Sequence, residues 1–221
     1  MKKFIRYTLI VILLVVGLAM IFNRQIKNSV VRYMTNTAVE TKIDTTKNND
    51  KKANFNFKKI TAVDNTLVAK AATSSKSDAI GKIAMPSVGL KLPIFYGMNN
   101  EDLVRGAGTM KEGQKMGGEG NYALAGHHMS DPNLLFGPLA NAKVGDKIYL
   151  TDGSKVYTYT TTVKTTVNKS EVQYIYDVSG EKLLTLVTCA SGEANEVDRT
   201  IIQAKLSKVT NATDKTLKVF E

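Results

Sequence analysis

Cysteine occurs once in this chain of 221 residues, at Cys189, and tryptophan is absent. A single thiol cannot close an intramolecular disulfide, so no cross-linked framework holds this fold. Histidine occurs only as the adjacent pair His127 and His128. Two neighbouring imidazoles and one thiol do not supply tetrahedral zinc spacing, so no metal set is expected. Prolines number four and no internal repeat is present. With 43% apolar and 23% charged residues, the composition is that of a globular chain with room for one real core plus extensions.

Acidic residues are missing from residues 1–23, which carry Lys2, Lys3 and Arg6. An uncharged run from Tyr7 to Phe22 follows, rich in Leu, Ile and Val. With Phe4 and Ile5 it approaches the roughly 17–25 residues of a spanning helix. A cleaved signal peptide is the rival, with Gly17-Leu18-Ala19 as a small-x-small site. The apolar run continues past Ala19, which favours an uncleaved signal anchor. Lys2, Lys3 and Arg6 on one side face Arg24, Lys27 and Arg32 on the other, so charge bias barely sets orientation.

The net charge of +10 is concentrated near this anchor. Residues 24–78 hold eleven basic against five acidic residues, whereas residues 79–221 hold sixteen against fifteen. A nearly neutral folded part implies no basic face, and no nucleic-acid partner is expected. The basic stretch lacks proline and glycine and reads as a polar linker or stalk. Within it, Arg24 to Glu40 has helical character, while Asn48–Lys52 and Thr73–Ser77 read as solvated spacer. Three regions follow: an anchor at 1–23, the linker at 24–78 and a folded domain at 79–221.

From Ala79 onward, short β-branched segments alternate with turn residues. Ile80 to Met85, Lys91 to Tyr96, Asn121 to Ala125, Thr161 to Asn168, Leu183 to Cys189 and Thr200 to Leu206 read as strands. Lys147–Leu150 and Val156–Thr160 flank Asp152-Gly153, a favoured hairpin turn. Pro93 favours an edge or bulge. Six glycines between Gly106 and Gly120 mark an irregular loop. Leu103 and Val104 suggest a short helix, and Leu134 to Ala140 a short helical connection. Seven or eight strands with little helix indicate an all-β barrel or sandwich.

Three polar residues fall at strand ends: His127, Cys189 and Arg199. The loop between the last two carries Gly192, Glu193, Glu196 and Asp198, so it should be exposed. If the strands of Cys189 and Arg199 pair as a hairpin, the two residues become neighbours at one rim. A thiol attacks as thiolate, and a nearby imidazolium or guanidinium favours that form. Histidine can hand a proton to a leaving amine, and arginine can stabilise an oxyanion without titrating. Each residue also has a bland use: a packed thiol, a surface imidazole, a solvated edge charge. His127 and His128 point to opposite faces if extended, so only one is expected to act.

Leu186-Val187-Thr188-Cys189, with Arg199 after an acidic loop, resembles the signature of the sortase family. Ala123-Leu124-Ala125-Gly126-His127 resembles the family strand that ends in Ala-Gly-His, and Ile80-Gly81-Lys82-Ile83 with Pro86 its opening strand. The match spans about residues 79–206 with motifs in order, and the N-terminal anchor and minimal tail resemble class A. The resemblance implies an eight-stranded sortase-type β-barrel with short helices behind a transmembrane helix. It implies a cysteine transpeptidase that cleaves LPxTG-type (Leu-Pro-x-Thr-Gly) sorting signals of surface proteins between Thr and Gly. The product acyl group would pass to an amine of lipid II or peptidoglycan. By position, Cys189 would be the nucleophile, His127 the acid and then base, and Arg199 the carbonyl and oxyanion ligand. Thr188 would assist the oxyanion region, and Ala125 and Val187 would line the Leu-Pro pocket. The N-terminus would be cytoplasmic and the domain extracellular.

The alternatives are a hydrolytic cysteine peptidase, an L,D-transpeptidase-like enzyme and a non-enzymatic wall-binding domain. L,D-transpeptidases usually place Ser-His-Gly-Cys close together, whereas His127 and Cys189 here stand 62 positions apart. Some class A members bind calcium through acids in the loop before the histidine. That loop offers Glu112 and Glu119 here, but Lys115 stands where another acid would be expected, and a lysine among hard oxygen ligands opposes a divalent cation. No cofactor is therefore expected. Adding a calcium chelator should leave activity unchanged, and a large loss would refute this.

Overall fold

Short segments rich in Val, Ile, Thr and Tyr favour extended backbone. Eight strands form in the computed structural model, which describes residues 2–46, 53–74, 78–193 and 195–221. They are β1 (Gly81–Met85), β2 (Leu90–Phe95), β3 (Ala107–Thr109), β4 (Gly120–Ala125), β5 (Lys147–Thr151), β6 (Lys155–Asn168), β7 (Lys182–Cys189) and β8 (Asp198–Asn211). They close into a barrel in the order β1-β2-β3-β4-β7-β8-β6-β5. The β2–β3 and β4–β7 pairs are parallel, and the others antiparallel.

Alternation sends one face of each strand inward. Tyr122 and Leu124 of β4, Leu184 and Leu186 of β7 and Ile202 and Ala204 of β8 meet Ile83, Ile148, Leu150 and Tyr159 in the core. A fully buried Leu or Ile contributes roughly 1.5–3 kcal/mol, against about 0–1 kcal/mol for a surface ion pair. The inward apolar set therefore fixes the register, because a one-residue slip would turn it out to solvent.

The Asp152-Gly153 turn forms between β5 and β6 as expected. Gly153 adopts φ 87°, and the Asp152 carboxylate accepts the amides of Ser154 and Lys155 at 2.9 and 2.8 Å. Thr161 to Asn168 is the continuation of β6 rather than a separate strand, with register shifts against β8 near Thr158 and Thr161. The expected loop from Gly106 to Gly120 contains β3. This strand is three residues long and two of them are Ala107 and Gly108, so it carries no side-chain pattern. A Cβ on Gly108 would lie 2.3 Å from the carbonyl oxygen of Gly97. Pro93 pairs with Lys82 of β1, while β3 begins only beside Ile94, so the missing N–H faces no partner strand.

The helices are α1 (Lys2–Ile21), α2 (Asn23–Glu40), α3 (Asn65–Thr73), α4 (Asn100–Leu103) and α5 (Asp214–Leu217). Gly137–Asn141 is a 3-10 turn within the expected helical connection. The exposed apolar segment Lys3–Ile21 is long and apolar enough to cross a membrane; 20 residues of helix rise about 30 Å. Within the stretch read as linker, α2 coincides with the expected helix and lays Val31, fully buried, and Thr35 on the barrel side. Val30 and Met34 pack against the same core. Helix α3 is capped by Asp64, which accepts the amide of Leu67 at 2.7 Å, and buries Leu67, Val68 and Ala71. Buried Arg105 donates to the Ala71 carbonyl and, at 2.9 Å, to Ser74 Oγ. Of the spacer runs, Asn48–Lys52 and Ser75–Ser77 lie outside the described residues. At the other end, Phe220 packs on Ala84 and Val156.

Val31→Asp places an unpaired carboxylate at this fully enclosed position. It should cost about 2–4 kcal/mol and lower the thermal midpoint of the micelle-bound chain. An unchanged midpoint would mean that α2 does not hold to the barrel.

Candidate active site

The site grows from the parallel ladder of β4 with β7. Ala125 pairs with Val187 and Tyr122 with Leu184. The ladder continues past β4, where the Gly126 amide donates to the Val187 carbonyl at 3.1 Å. Gly126 is required because a Cβ would lie 2.6 Å from the Phe136 ring. Beyond it, His127 and His128 arrive beside the C-terminal end of β7, where Cys189 sits half-buried as a free thiol. The antiparallel β7–β8 pair sets Cys189 directly opposite Arg199. Cys189, Val187 and Thr185 share the outer face with Arg199, Ile201 and Gln203, as alternation requires.

The two histidines divide in environment. His127 is half-buried, but its Nε2 is fully enclosed and without a hydrogen-bond partner among the described residues. Burial lowers its pKa from the ordinary 6.5 to about 4, so the ring is neutral at pH 7. His128 Nδ1 lies 2.9 Å from the Cys189 carbonyl, which can only accept, so Nδ1–H donates. It pins the peptide group of the cysteine to the strand carrying His127. Sequence reasoning missed this role. The His-His pair was the available signal, but its use depends on which strand lies alongside.

Arg199 is half-buried, and its Nη1 donates to the carbonyls of Glu196 and Asp198 at 2.8 and 2.9 Å. Among the described residues its Nε and Nη2 make no hydrogen bond, so they remain able to donate to a ligand. Glu196 braces the loop: it accepts from Ser191 Oγ at 2.5 Å and from the Asp198 amide at 2.9 Å. Those bonds, the Ser191 one foremost, hold its carboxyl below the usual range. Gly192 lets this loop press on the segment after the histidines, since a Cβ there would lie 2.5 Å from the Met129 carbonyl. From the opposite side, Arg24 of α2 donates to Ser130 Oγ and to its carbonyl, both at 3.1 Å. Arg32 pairs with Asp131 at 3.1 Å.

Below Cys189 the outer face bears a second apolar cluster of Met98, Leu103, Met110, Ala123 and Ala125, with Val187, Ile175 and Ile60 packed on it. The two candidate pocket residues, Ala125 and Val187, therefore lie together. The β6–β7 connection is pinned over this face by a polar network. Asn121 Nδ2 donates to Tyr174 O at 2.8 Å, while Thr185 Oγ1 donates to Asn121 Oδ1 at 2.9 Å and lies 3.1 Å from Tyr174 O. Thr188 falls on the opposite, barrel-interior face, where its enclosed Oγ1 has no partner among the described residues. Its hydroxyl does not share the face of Cys189.

The β3–β4 loop, which carries Glu112, Lys115 and Glu119, is tied to the β6–β7 connection by direct bonds. Lys111 Nζ pairs with Asp177 at 2.5 Å, and Glu119 accepts the Gly180 amide at 2.8 Å. Lys111 above all holds the Asp177 carboxyl below its ordinary value. No group of three or more His, Cys, Asp or Glu residues placed to hold a metal occurs among the described residues.

A mixed eight-stranded barrel with cysteine, arginine and histidine converging at one rim defines the class. Residues 83–207 match the sortase domain. The chain is 42% identical over 229 aligned residues to sortase A of Streptococcus agalactiae, covering 99% of this chain and 92% of that one. It is 44% identical to sortase A of Listeria monocytogenes over 84% of each chain. The crystal structure of the Listeria sortase A superposes with a TM-score of 0.61 at 41% identity, covering 64% of this chain and 97% of that one. The chain belongs to the sortase family, and these relatives make it a cysteine transpeptidase of the sortase A type.

The lowered His127 pKa has a definite sign for stability. Between about 4 and 6.5 the unfolded chain takes up a proton that the folded chain refuses, so stability falls as pH drops through that window. His127→Gln should flatten this part of a pH-dependent unfolding curve relative to the unsubstituted chain. Parallel curves would show that the imidazole is not held neutral.

Proposed function

We propose that this transpeptidase cleaves LPxTG-type sorting signals between Thr and Gly and transfers the threonyl end to a cell-wall precursor amine. The observation that carries the site is the pairing of Cys189 with Arg199 beside the strand that delivers His127. In this reading the Cys189 thiolate attacks the threonine carbonyl carbon, and a carbon–sulfur bond forms. Arg199 stabilises the oxyanion with the nitrogens not held by its own loop. His127 gives a proton to the departing glycine amine as the carbon–nitrogen bond breaks. The acceptor amine, of lipid II or peptidoglycan, then attacks the thioester, His127 takes its proton, and the thiolate is restored.

The enclosed imidazole sets a condition on this cycle. With a pKa near 4, about one His127 in a thousand is charged at pH 7. The competent imidazolium–thiolate arrangement is then a minority state that substrate binding must favour. Thr188 would serve the oxyanion region through its main chain, because its hydroxyl faces the barrel interior. Ala125 and Val187 would line the pocket for Leu-Pro. Residues 1–23 would anchor the protein with the N-terminus cytoplasmic, 24–78 would join anchor to barrel, and 79–221 would carry catalysis outside the cell.

The test is a quenched Leu-Pro-x-Thr-Gly peptide given to the full chain in micelles, with and without an amine nucleophile. An amine-dependent threonyl adduct is expected. Cys189→Ala should lower turnover by at least about a thousandfold, and Arg199→Lys by about a hundredfold because a point charge replaces the fork. Release of threonyl product by the Cys189→Ala chain would overturn the assignment, and a hydrolysed product unaffected by amine would point to a peptidase.

A further inference from the structure

We propose that Ile60, which precedes the matched sortase domain, forms a wall of the acyl-donor pocket and helps select the apolar residue that opens the sorting signal. The inference rests on the reading of the site given above. Ile60 is half-buried and packs, as Val187 and Ile175 also do, against the cluster of Met98, Leu103, Met110, Ala123 and Ala125. The β4 members of this cluster are the small residues Ala123 and Ala125, so its larger apolar surface comes from other segments, Ile60 among them.

The segment is built into the barrel. The Asn100 side chain brackets residue 60: its Nδ2 donates to Lys59 O and its Oδ1 accepts the Thr61 amide, both at 3.0 Å. That two-point grip fixes the peptide groups on either side of Ile60, and hence the direction of its side chain. The Met98 amide donates to Asn54 O at 2.7 Å, so the segment is also laced to a member of the cluster. Gly97 is needed for this approach, since a Cβ there would lie 2.8 Å from the Ala53 Cβ. Asn54 and Asn56 each accept an amide two residues on, at 3.0 Å, which sets the turn leading to Ile60. Phe55 meets the Tyr96 ring edge-on at 5.2 Å.

The distances suit the substrate. At about 3.3 Å per residue, Val187 and Ala125 lie roughly 7 Å from Cys189 along β7, and the Ala123 level roughly 13 Å. An extended peptide whose threonine carbonyl meets Cys189 carries its proline and leucine about 7–10 Å away. The leucine therefore falls between the levels of Ala125 and Ala123, two members of the cluster against which Ile60 packs.

The experiment measures kcat and KM of the full chain in micelles with quenched peptides that begin with Leu or with Phe. Ile60→Ala should raise KM for the Leu peptide about tenfold, leave kcat within about twofold, and move the Leu-to-Phe preference toward Phe as the pocket widens. Ile60→Val, too small a change to prevent folding, should fall between. Unchanged KM and unchanged preference in both variants would reduce Ile60 to a prop and overturn the proposal. A lower KM would overturn it too, because Ile60 would then be an occupant that competes with substrate. An unsubstituted chain that cleaves neither peptide would instead sink the parent reading of the site, and this inference with it.

Discussion

The parallel pairing of β4 with β7 decides where the candidate catalytic groups stand. Two strands separated by more than fifty residues run side by side in the same direction, so both C-terminal ends reach one rim. One end delivers His127 and His128, the other Cys189. Because β8 returns antiparallel to β7, its first residues come back to that rim and bring Arg199 opposite the thiol. Antiparallel pairing of β4 with β7 would send the histidines to the far end of the barrel, some six strand residues away. The apolar inward face of β7, Leu184 and Leu186 with no exposure, is what forbids a slip that would separate them.

Around this ladder, main-chain contacts do more than charge pairs. His128 holds the Cys189 carbonyl, Glu196 O and Asp198 O hold Arg199, and Gly126 and Gly192 permit approaches that any side chain would block. The ion pairs at the periphery, Arg32–Asp131 and Lys111–Asp177, are half-exposed or more on one partner. Such pairs contribute about 0–1 kcal/mol each. Their value lies in where they attach: one on the segment after the histidines, the other between the β3–β4 loop and the β6–β7 connection. The enclosed Nε2 of His127 is a buried polar atom without a partner among the described residues.

Much of this was legible in the sequence, and the failures have physical reasons. Cys189, Arg199 and His127 stand at ends of strands whose alternation is clear, and antiparallel β7–β8 pairing follows from a short loop. The Asp152-Gly153 turn needs only local chemistry. By contrast, β3 has two alanine- or glycine-sized residues in three and was hidden in a glycine-rich loop. The polar network of Asn121, Thr185 and Tyr174 joins three elements, so no local pattern announces it. The placement of the Thr188 hydroxyl inside the barrel followed from alternation, yet the family signature that names Thr and Cys together drew both toward one role.

The least legible part was the stretch from 24 to 78. Its charge and its lack of glycine and proline resemble a solvated spacer, because composition counts all faces of a helix at once. The structure shows narrow buried stripes instead: Val31 and Thr35 on α2, and Leu67, Val68 and Ala71 on α3. A stripe of two or three residues barely moves an average over eighteen, but it suffices to seat the helix when the opposite surface is a formed barrel. Once α2 is seated, Arg24, one turn beyond the apolar anchor, touches Ser130, three residues after His127. At 1.5 Å of rise per helical residue and an arginine reach of several Å, the rim that carries Cys189 stands within roughly 20 Å of the end of the apolar helix. The helix that follows the apolar segment is also the one that braces the histidine segment, so the spacing between apolar helix and rim and the geometry around the histidines are set by the same contacts.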